Sequence, residues 1–311
     1  MELTGKQVAV TGATGFLGRY IVEVLLARGA RVIGVVRNPD RVPDLARRGV
    51  ELRRADLAER DQLVKGFSGA DAVVSNAALF AVRKMVGLGN AVWEEHQRTN
   101  IQGTRNVFEA VKAAGVTRVV HVSSVAVYGR RLHARIGEDE PQLSAQTRRT
   151  PFNAYQLSKA LSERLAWRLA AEHGLQLTAV RPCGIYGAFD PNFMPVVKRL
   201  LGLPVTIFPV MLHLPLVYAG DVAEAIALSL ERDVAIGKAY NVTGDDYPIS
   251  EFVRAWTLAG GTTPWLTIPL PVPICQSFDH SRITRDLGWR NRPFVEALRE
   301  TLAREATRET A

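Results

Sequence analysis

Along the first 182 residues, short runs of apolar and β-branched side chains alternate with longer segments whose apolar positions recur at helical spacing. The pattern predicts strands over 7–11, 31–37, 51–54, 71–75, 118–123 and 177–181. It predicts helices over 16–28, 100–114 and 153–172, closed by Gly29, Gly115 and Gly174. Runs such as Val8-Ala9-Val10 are apolar at successive positions, as strands buried on both faces are. Strand and helix in regular alternation build a doubly wound α/β fold, a parallel sheet covered by helices on both sides.

Beyond Pro182 proline and glycine become frequent and the alternation weakens, which predicts a smaller substrate-binding lobe over 183–311. The lobe is discontinuous in this reading. A helix over 221–230 and a strand over 239–242 suit a return of about 215–245 to the dinucleotide-binding domain of 1–182, and an amphipathic helix over 293–304 closes the chain. From Leu200 to Gly220 there is no Asp, Glu, Lys or Arg, a length that would permit a membrane span. Pro204, Pro209 and Pro215 interrupt it, and each would remove a helix hydrogen bond. The stretch is therefore read as buried or pocket-lining loops, with peripheral membrane contact left open. The first apolar run is too short for a signal peptide, so no targeting segment is expected.

Charge changes the picture little. Lys and Arg number 39 against 31 Asp and Glu, a net +8, and the basic residues are spread along the chain. The basic stripe with interleaved aromatics that a nucleic-acid binder presents is missing, so no nucleic-acid partner is expected. Cys183 and Cys275 lie far apart, with no His or Cys at metal-ligand spacing. That pattern argues against a disulfide framework and a structural zinc site, and it fits a reducing, cytoplasmic compartment.

The strongest local signal is Thr11-Gly12-Ala13-Thr14-Gly15-Phe16-Leu17-Gly18, set between the first strand and the first helix. Glycines three apart let the backbone turn sharply and approach a pyrophosphate. The free amides and positive dipole end of the helix beginning at Phe16 and Leu17 then face the anion. Gly18 lets that helix pack closely on the sheet, as in a Rossmann-type fold. The second strand ends in Val35-Val36-Arg37-Asn38, with no carboxylate before Asp40. An acidic residue there would accept from the ribose hydroxyls of NAD, whereas Arg37 accommodates the 2′-phosphate of NADP. A charge pair at ~4 Å and an effective dielectric of ~20 is worth about 4 kcal/mol before desolvation, enough to place NADP(H) ahead of NAD(H). Asp56 suits either a hydrogen bond to the adenine amino group or a helix N-cap. Asn76-Ala77-Ala78 ends the fourth strand with small side chains along which a cofactor can lie.

Tyr155 and Lys159 are four apart in a helical segment, on one face. A nearby ammonium, together with an oxidised nicotinamide, would favour the phenolate and bring the Tyr155 pKa down from ~10 toward neutrality. Ser123-Ser124 follows the fifth strand at the carboxyl edge of the sheet, where a hydroxyl can bond a substrate oxygen as charge develops on it.

Together these residues resemble the short-chain dehydrogenase/reductase superfamily in its extended branch, which includes dihydroflavonol reductases, 3β-hydroxysteroid dehydrogenases and nucleotide-sugar epimerases. The likeness runs through the glycine turn, Asp56-Leu57, Asn100-Ile101-Gln102-Gly103-Thr104, Ser124 with the Val-Tyr-Gly after it, Tyr155 with Lys159, Arg181-Pro182, and the stretch from Asp279 to Trp289. The resemblance implies Tyr155 as acid/base, Lys159 holding the ribose and tuning the tyrosine, and Ser124 rather than Ser123 binding the reacting oxygen. It implies Asn100 as a supporting residue of the site, and Leu57 with residues 182–185, Pro182 to Ile185, along the cofactor. It also implies a homodimer through the helices of 100–114 and 155–172.

Three functions compete within it: an NADP(H)-dependent oxidoreductase, a nucleotide-sugar epimerase, and a non-enzymatic dinucleotide sensor. Sensors on this fold typically lack the Tyr/Lys pair. Sugar-nucleotide members carry an Asn and an Arg for the diphosphate where this chain has Cys183 and, most nearly, Leu214. Around the expected pocket stand Leu79, Phe80, Met85, Trp93, Phe193, Met194, Ile207, Phe208, Val210, Met211 and Leu212, which suit either an apolar carbonyl/alcohol substrate or the core. His213 suits a polar contact to substrate or an incidental loop position. The segment 130–149 reads as a polar surface loop bordering the site.

Overall fold

In the computed structural model the described residues are 1–80, 90–131, 135–150, 153–209, 211–272 and 275–309. Seven strands form one sheet: β1 (Gln7–Thr11), β2 (Arg31–Val36), β3 (Glu51–Arg54), β4 (Ala72–Ser75), β5 (Arg118–Val122), β6 (Gln176–Pro182) and β7 (Ala239–Val242). Their order is β7-β6-β5-β4-β1-β2-β3, and every neighbouring pair is parallel. The sheet grows one way from β1 through β2 and β3, then the other way from β4, so a crevice opens above the carboxyl ends of β1 and β4. Ligands of such folds bind there.

The apolar runs form central strands because both of their faces are covered. Successive side chains point to opposite sides: Val8 and Val10 join one core with α1 (Phe16–Ala27) and α4 (Ala219–Glu231), while Ala9 joins the other. That second core is filled by Val107, Phe108 and Val111 of α2 (Gly103–Ala113) and by Leu165, Ala166 and Leu169 of α3 (Ala154–His173). Each fully buried Val, Leu or Phe contributes about 1.5–3 kcal/mol, so the two cores hold the strand ends in fixed positions.

Three small parallel pairs lie outside the sheet: Gly184–Tyr186 with Leu216–Tyr218, Val205–Pro209 with Leu266–Leu270, and Arg135–Ile136 with Ser277–Phe278. The last alters the reading of 130–149 as a surface loop. Ile136 is buried, and Glu138 is also buried, its carboxylate accepting the Asn241 amide at 3.1 Å. Asn100 does not begin an α-helix either. It sits in a π-helical turn, Gln97–Gln102, that leads into α2, and such turns are frequent at functional sites. Phe193 and Met194 face inward: Met194 is buried in the core, and the Phe193 ring packs on Phe252 at 5.5 Å. Met85 and Val210 lie outside the described residues.

Candidate active site

The glycine turn fits an anion by its backbone alone. Gly12 adopts φ 68°, and a Cβ there would stand 3.0 Å from the Ala77 Cα. At Gly18 a Cβ would come within 2.0 Å of the Gly12 carbonyl oxygen, so helix and turn touch as only glycine permits. The Gly15 amide donates to that same carbonyl at 3.0 Å. Gly15 caps α1 without a side-chain hydrogen bond, and no acidic residue occupies the first turn. The amides of Phe16, Leu17 and Gly18 therefore lack a carboxylate or hydroxyl cap, with Thr14 and Gly15 exposed beside them. A helix start left bare in this way attracts phosphate.

The floor of the crevice is built by β1 and β4. The Thr11 hydroxyl accepts the amides of Asn76 at 3.0 Å and Ala77 at 3.1 Å, pinning the Asn76-Ala77-Ala78 turn beside Gly12. Arg37 stands exposed at the end of β2, with no ion-pair partner among the described residues, whereas the next carboxylate along the chain, Asp40, is bound to Arg54 at 3.4 Å. Asp56 accepts the Ala58 amide at 2.9 Å, so one carboxylate oxygen serves the local turn. Leu57 packs against Gly103, and its carbonyl accepts from Asn106 at 2.7 Å.

Ser124, Tyr155 and Lys159 converge at the carboxyl end of β5. Tyr155 lies in the first turn of α3, its ring 5.0 Å from that of Phe80 and 5.9 Å from that of His96. Burial pushes its phenol up to about 12, and a hydrogen bond with the Ser124 hydroxyl offsets part of that shift. The Ser124 Oγ also donates to the Pro182 carbonyl at 3.4 Å and accepts the Ala126 amide at 3.1 Å. Lys159 is 3% exposed. Its Nζ donates to the Val122 carbonyl at 2.8 Å, and burial lowers its pKa to about 8 against the opposing pull of Glu163. The expectation that Lys159 draws the phenol toward neutrality is not met in the chain by itself. One of the three ammonium donors is engaged by the strand end, and desolvation dominates at the tyrosine.

Asn100 ties the pieces together. Its Oδ1 accepts the Leu79 amide at 2.7 Å and its Nδ2 donates to the Ser158 Oγ at 3.0 Å, joining the turn after β4 to the helix of Tyr155 and Lys159. On the other side Pro182 ends β6 and Ile185 is half-buried, paired with Val217. Cys183 is buried, its thiol pushed up to about 12, and so is inert.

Sequence reasoning missed the support beneath these groups. Glu163 and Arg181 form a buried ion pair, with Arg181 Nε donating to both carboxylate oxygens at 3.0 and 3.1 Å. Arg181 Nη1 donates to the Tyr128 hydroxyl at 2.6 Å and to the Glu138 carbonyl at 3.0 Å. Ser123, the serine set aside, donates to Glu163 rather than facing the crevice. The available signal was spacing: Tyr155, Lys159 and Glu163 recur every four residues along one helix.

A parallel sheet with a bare glycine turn and a Ser/Tyr/Lys cluster at its carboxyl edge defines an extended short-chain dehydrogenase/reductase. A model of the NAD dependent epimerase/dehydratase family matches residues 8–243, and the chain belongs to that family. Over 188 residues it is 34% identical to a 4-hydroxy-2-methyl-3-oxo-4-farnesyl-3,4-dihydroquinoline-1-oxide ketoreductase of Stigmatella aurantiaca, a match covering 60% of this chain and 52% of that one. The chain thus spans about half the length of that relative. It is 31% identical to sterol demethylase protein B of Methylococcus capsulatus, over 84% of this chain and 76% of the other. A UDP-glucose-4-epimerase from Stenotrophomonas maltophila, solved with NAD and formylated UDP-arabinopyranose, shares the fold at a TM-score of 0.81 and 23% identity, covering 98% of this chain and 100% of that one. The family is one that binds a nicotinamide dinucleotide.

Proposed function

We propose that the protein is an NADP(H)-dependent reductase of a small apolar carbonyl/alcohol pair, with Tyr155 as the proton donor. The observation that carries this reading is the hydrogen-bonded Ser124–Tyr155 hydroxyl pair at the carboxyl end of β5, on the edge of the sheet where the dinucleotide crevice opens. A protonated phenol can donate to an oxygen as it gains charge, which is what carbonyl reduction requires. The reducing power at the carbonyl carbon is supplied by the nicotinamide when it is bound.

The chain's own residues hold that group and its substrate. The amides after Gly15 and the dipole of α1 receive the pyrophosphate, with Gly12 and Gly18 giving it room. Arg37 takes the 2′-phosphate, Asp56 the adenine edge, and residues 76–78 the length of the cofactor beside Leu57. Lys159 holds the ribose, and Pro182 and Ile185 meet the carboxamide. Ser124 orients the substrate oxygen toward the Tyr155 hydroxyl. Asn100 fixes the distance between the crevice floor and the helix bearing Tyr155.

Phe80, 44% exposed with its ring against Tyr155, puts an apolar surface beside the proton donor, which favours an apolar substrate. The ketoreductase relative, whose substrate carries a farnesyl chain, points the same way. Cys183 is buried and uncharged, and so offers nothing to the diphosphate of a sugar nucleotide. In this reading residues 1–182, with about 215–245, form the dinucleotide-binding domain of a cytoplasmic homodimer, and the rest of 183–311 forms the substrate lobe. No helix among the described residues is long and apolar enough to cross a membrane.

The test is an NADPH oxidation screen over apolar ketones, with UDP-sugars in parallel. Steady NADPH consumption with ketones is the expected result. Conversion of a UDP-sugar without net dinucleotide turnover would establish the epimerase instead, and tight dinucleotide binding with no turnover of any kind would point to a sensor.

A further inference from the structure

We propose that His213, Asp246 and Cys275 form a binding site for a zinc-type transition-metal dication, made of residues other than the Ser124, Tyr155 and Lys159 cluster. Potential donor atoms of the three residues all lie within 4.8 Å of one another. The His213 Nδ1 is 2.8 Å from one Asp246 carboxylate oxygen, and the Cys275 Sγ is 3.9 Å from the other. Metal–ligand bonds of about 2.0–2.3 Å in tetrahedral array put donor atoms roughly 3.3–3.8 Å apart. The observed separations bracket that range, so a small rotation of the side chains seats an ion.

The backbone already brings the three segments together. His213, just before the strand Leu216–Tyr218, forms a parallel bridge with Cys275 and an antiparallel bridge with Pro248. The Ile249 amide donates to the Leu212 carbonyl at 2.7 Å. Since the backbone is set, binding costs little ordering of chain. Imidazole, carboxylate and thiolate are a donor set that zinc prefers over magnesium or calcium, and three protein ligands leave a fourth place for water. All three side chains are at least partly exposed, so an ion can reach them. On binding, the Cys275 S–H proton leaves to solvent as the sulfur–metal bond forms, with no change of oxidation state. Sequence spacing hid the site, because the donors are 33 and 29 residues apart. Its consequence is mechanical. Gln276, next to Cys275, donates to the Gly129 carbonyl at 3.1 Å. A bound ion therefore joins the segments of His213 and Asp246 to the turn that follows Ser124.

The chain carries its own reporter. Of its two cysteines Cys183 is buried, leaving Cys275 as the accessible thiol. The full-length, reduced and chelator-treated protein is titrated with zinc chloride alone while alkylation of Cys275 is timed. One equivalent of zinc is expected to slow alkylation at least tenfold, and cobalt(II) in its place to give a thiolate-to-metal absorption band. His213→Ala and Asp246→Asn should each weaken the protection by about tenfold or more, with the same cooperative thermal unfolding as wild type. Cys275→Ser should abolish the cobalt band. The proposal is overturned if zinc leaves the alkylation rate of the wild-type protein unchanged. It is equally overturned if protection persists in both the His213 and Asp246 variants, which would mean a thiol binding the metal by itself.

Discussion

Glu163 lies one helical turn beyond Lys159 on α3, and its carboxylate is ion-paired with Arg181 of β6 where neither side chain meets water: they are 0% and 4% exposed. The pair, with the hydrogen bonds from Ser123 and Gln142, holds the Glu163 carboxyl at about 2, well below its usual range, although burial alone would raise it. Glu163 also steadies the charge of Lys159. The face of α3 that carries Tyr155 and Lys159 thus includes a buried charge network.

Removing one partner of such a pair leaves the other charge buried alone. Glu163→Gln is expected to destabilise the fold by about 3–5 kcal/mol at pH 7, measured by urea unfolding. A carboxyl whose folded pKa is depressed adds stability above its unfolded pKa, near 4.5, and that stability drains away as pH falls through the folded value of about 2. The gap between wild type and variant should therefore be full at pH 7 and narrow steadily below pH 4.5. A gap independent of pH would show that the carboxylate charge is not what stabilises the fold.

Lys159 carries the opposite sign. Burial lowers its folded pKa to about 8 from 10.5, so the fold binds fewer protons here than the unfolded chain does between those values. The cost of burying the ammonium is fully present below pH 8 and is relieved as pH rises toward 10.5. Lys159→Met should thus be at least as stable as wild type at pH 7, by up to about 3 kcal/mol, with the difference shrinking by pH 10. Its reductase activity should be lost. Thermal unfolding at the two pH values checks the first point and NADPH turnover the second. A variant that is less stable at pH 7 would mean that the 2.8 Å bond to Val122 outweighs desolvation.

Tyr155→Phe removes one oxygen and keeps the ring that packs against Phe80. Loss of a general acid costs about 10²–10⁴ in turnover. The NADPH affinity, read by fluorescence titration, should stay close to wild type because the pyrophosphate cradle is backbone built on α1. Retained turnover would remove Tyr155 from the chemistry.

The sheet was readable in the chain because its central strands are apolar on both faces, and the glycine turn because a Cβ at Gly18 would collide with the Gly12 carbonyl. Tyr155, Lys159 and Ser124 were readable as a set, since helix periodicity and the end of β5 each place them. The buried network was not. Glu138, Glu163 and Arg181 are charged, and charge in a sequence reads as surface unless the partner is known. Those partners lie 18 and 43 residues from Arg181. The upward shift of the Tyr155 phenol in the chain by itself was not legible for a related reason: a spacing of four reports proximity to Lys159 but says nothing of the solvent that both groups lose.

In the proposed reading Arg37 is the residue that selects NADPH over NADH. It projects from the end of β2 with no ion-pair partner among the described residues, and Asp40, the carboxylate that could compete for the position, is held by Arg54. A charge-assisted hydrogen bond to a phosphate is worth about 1.5–3 kcal/mol, so Arg37→Asp should weaken NADPH binding by roughly tenfold to a hundredfold. The new carboxylate can accept from the ribose hydroxyls of NADH, whose affinity should hold or rise. Because the contact is exposed, the preference for NADPH proposed for the wild type should be eroded by salt while NADH binding stays nearly unchanged. Fluorescence titrations of both dinucleotides at low and high salt measure all of this. Equal losses for the two, or a preference insensitive to salt, would assign the discrimination to a residue other than Arg37.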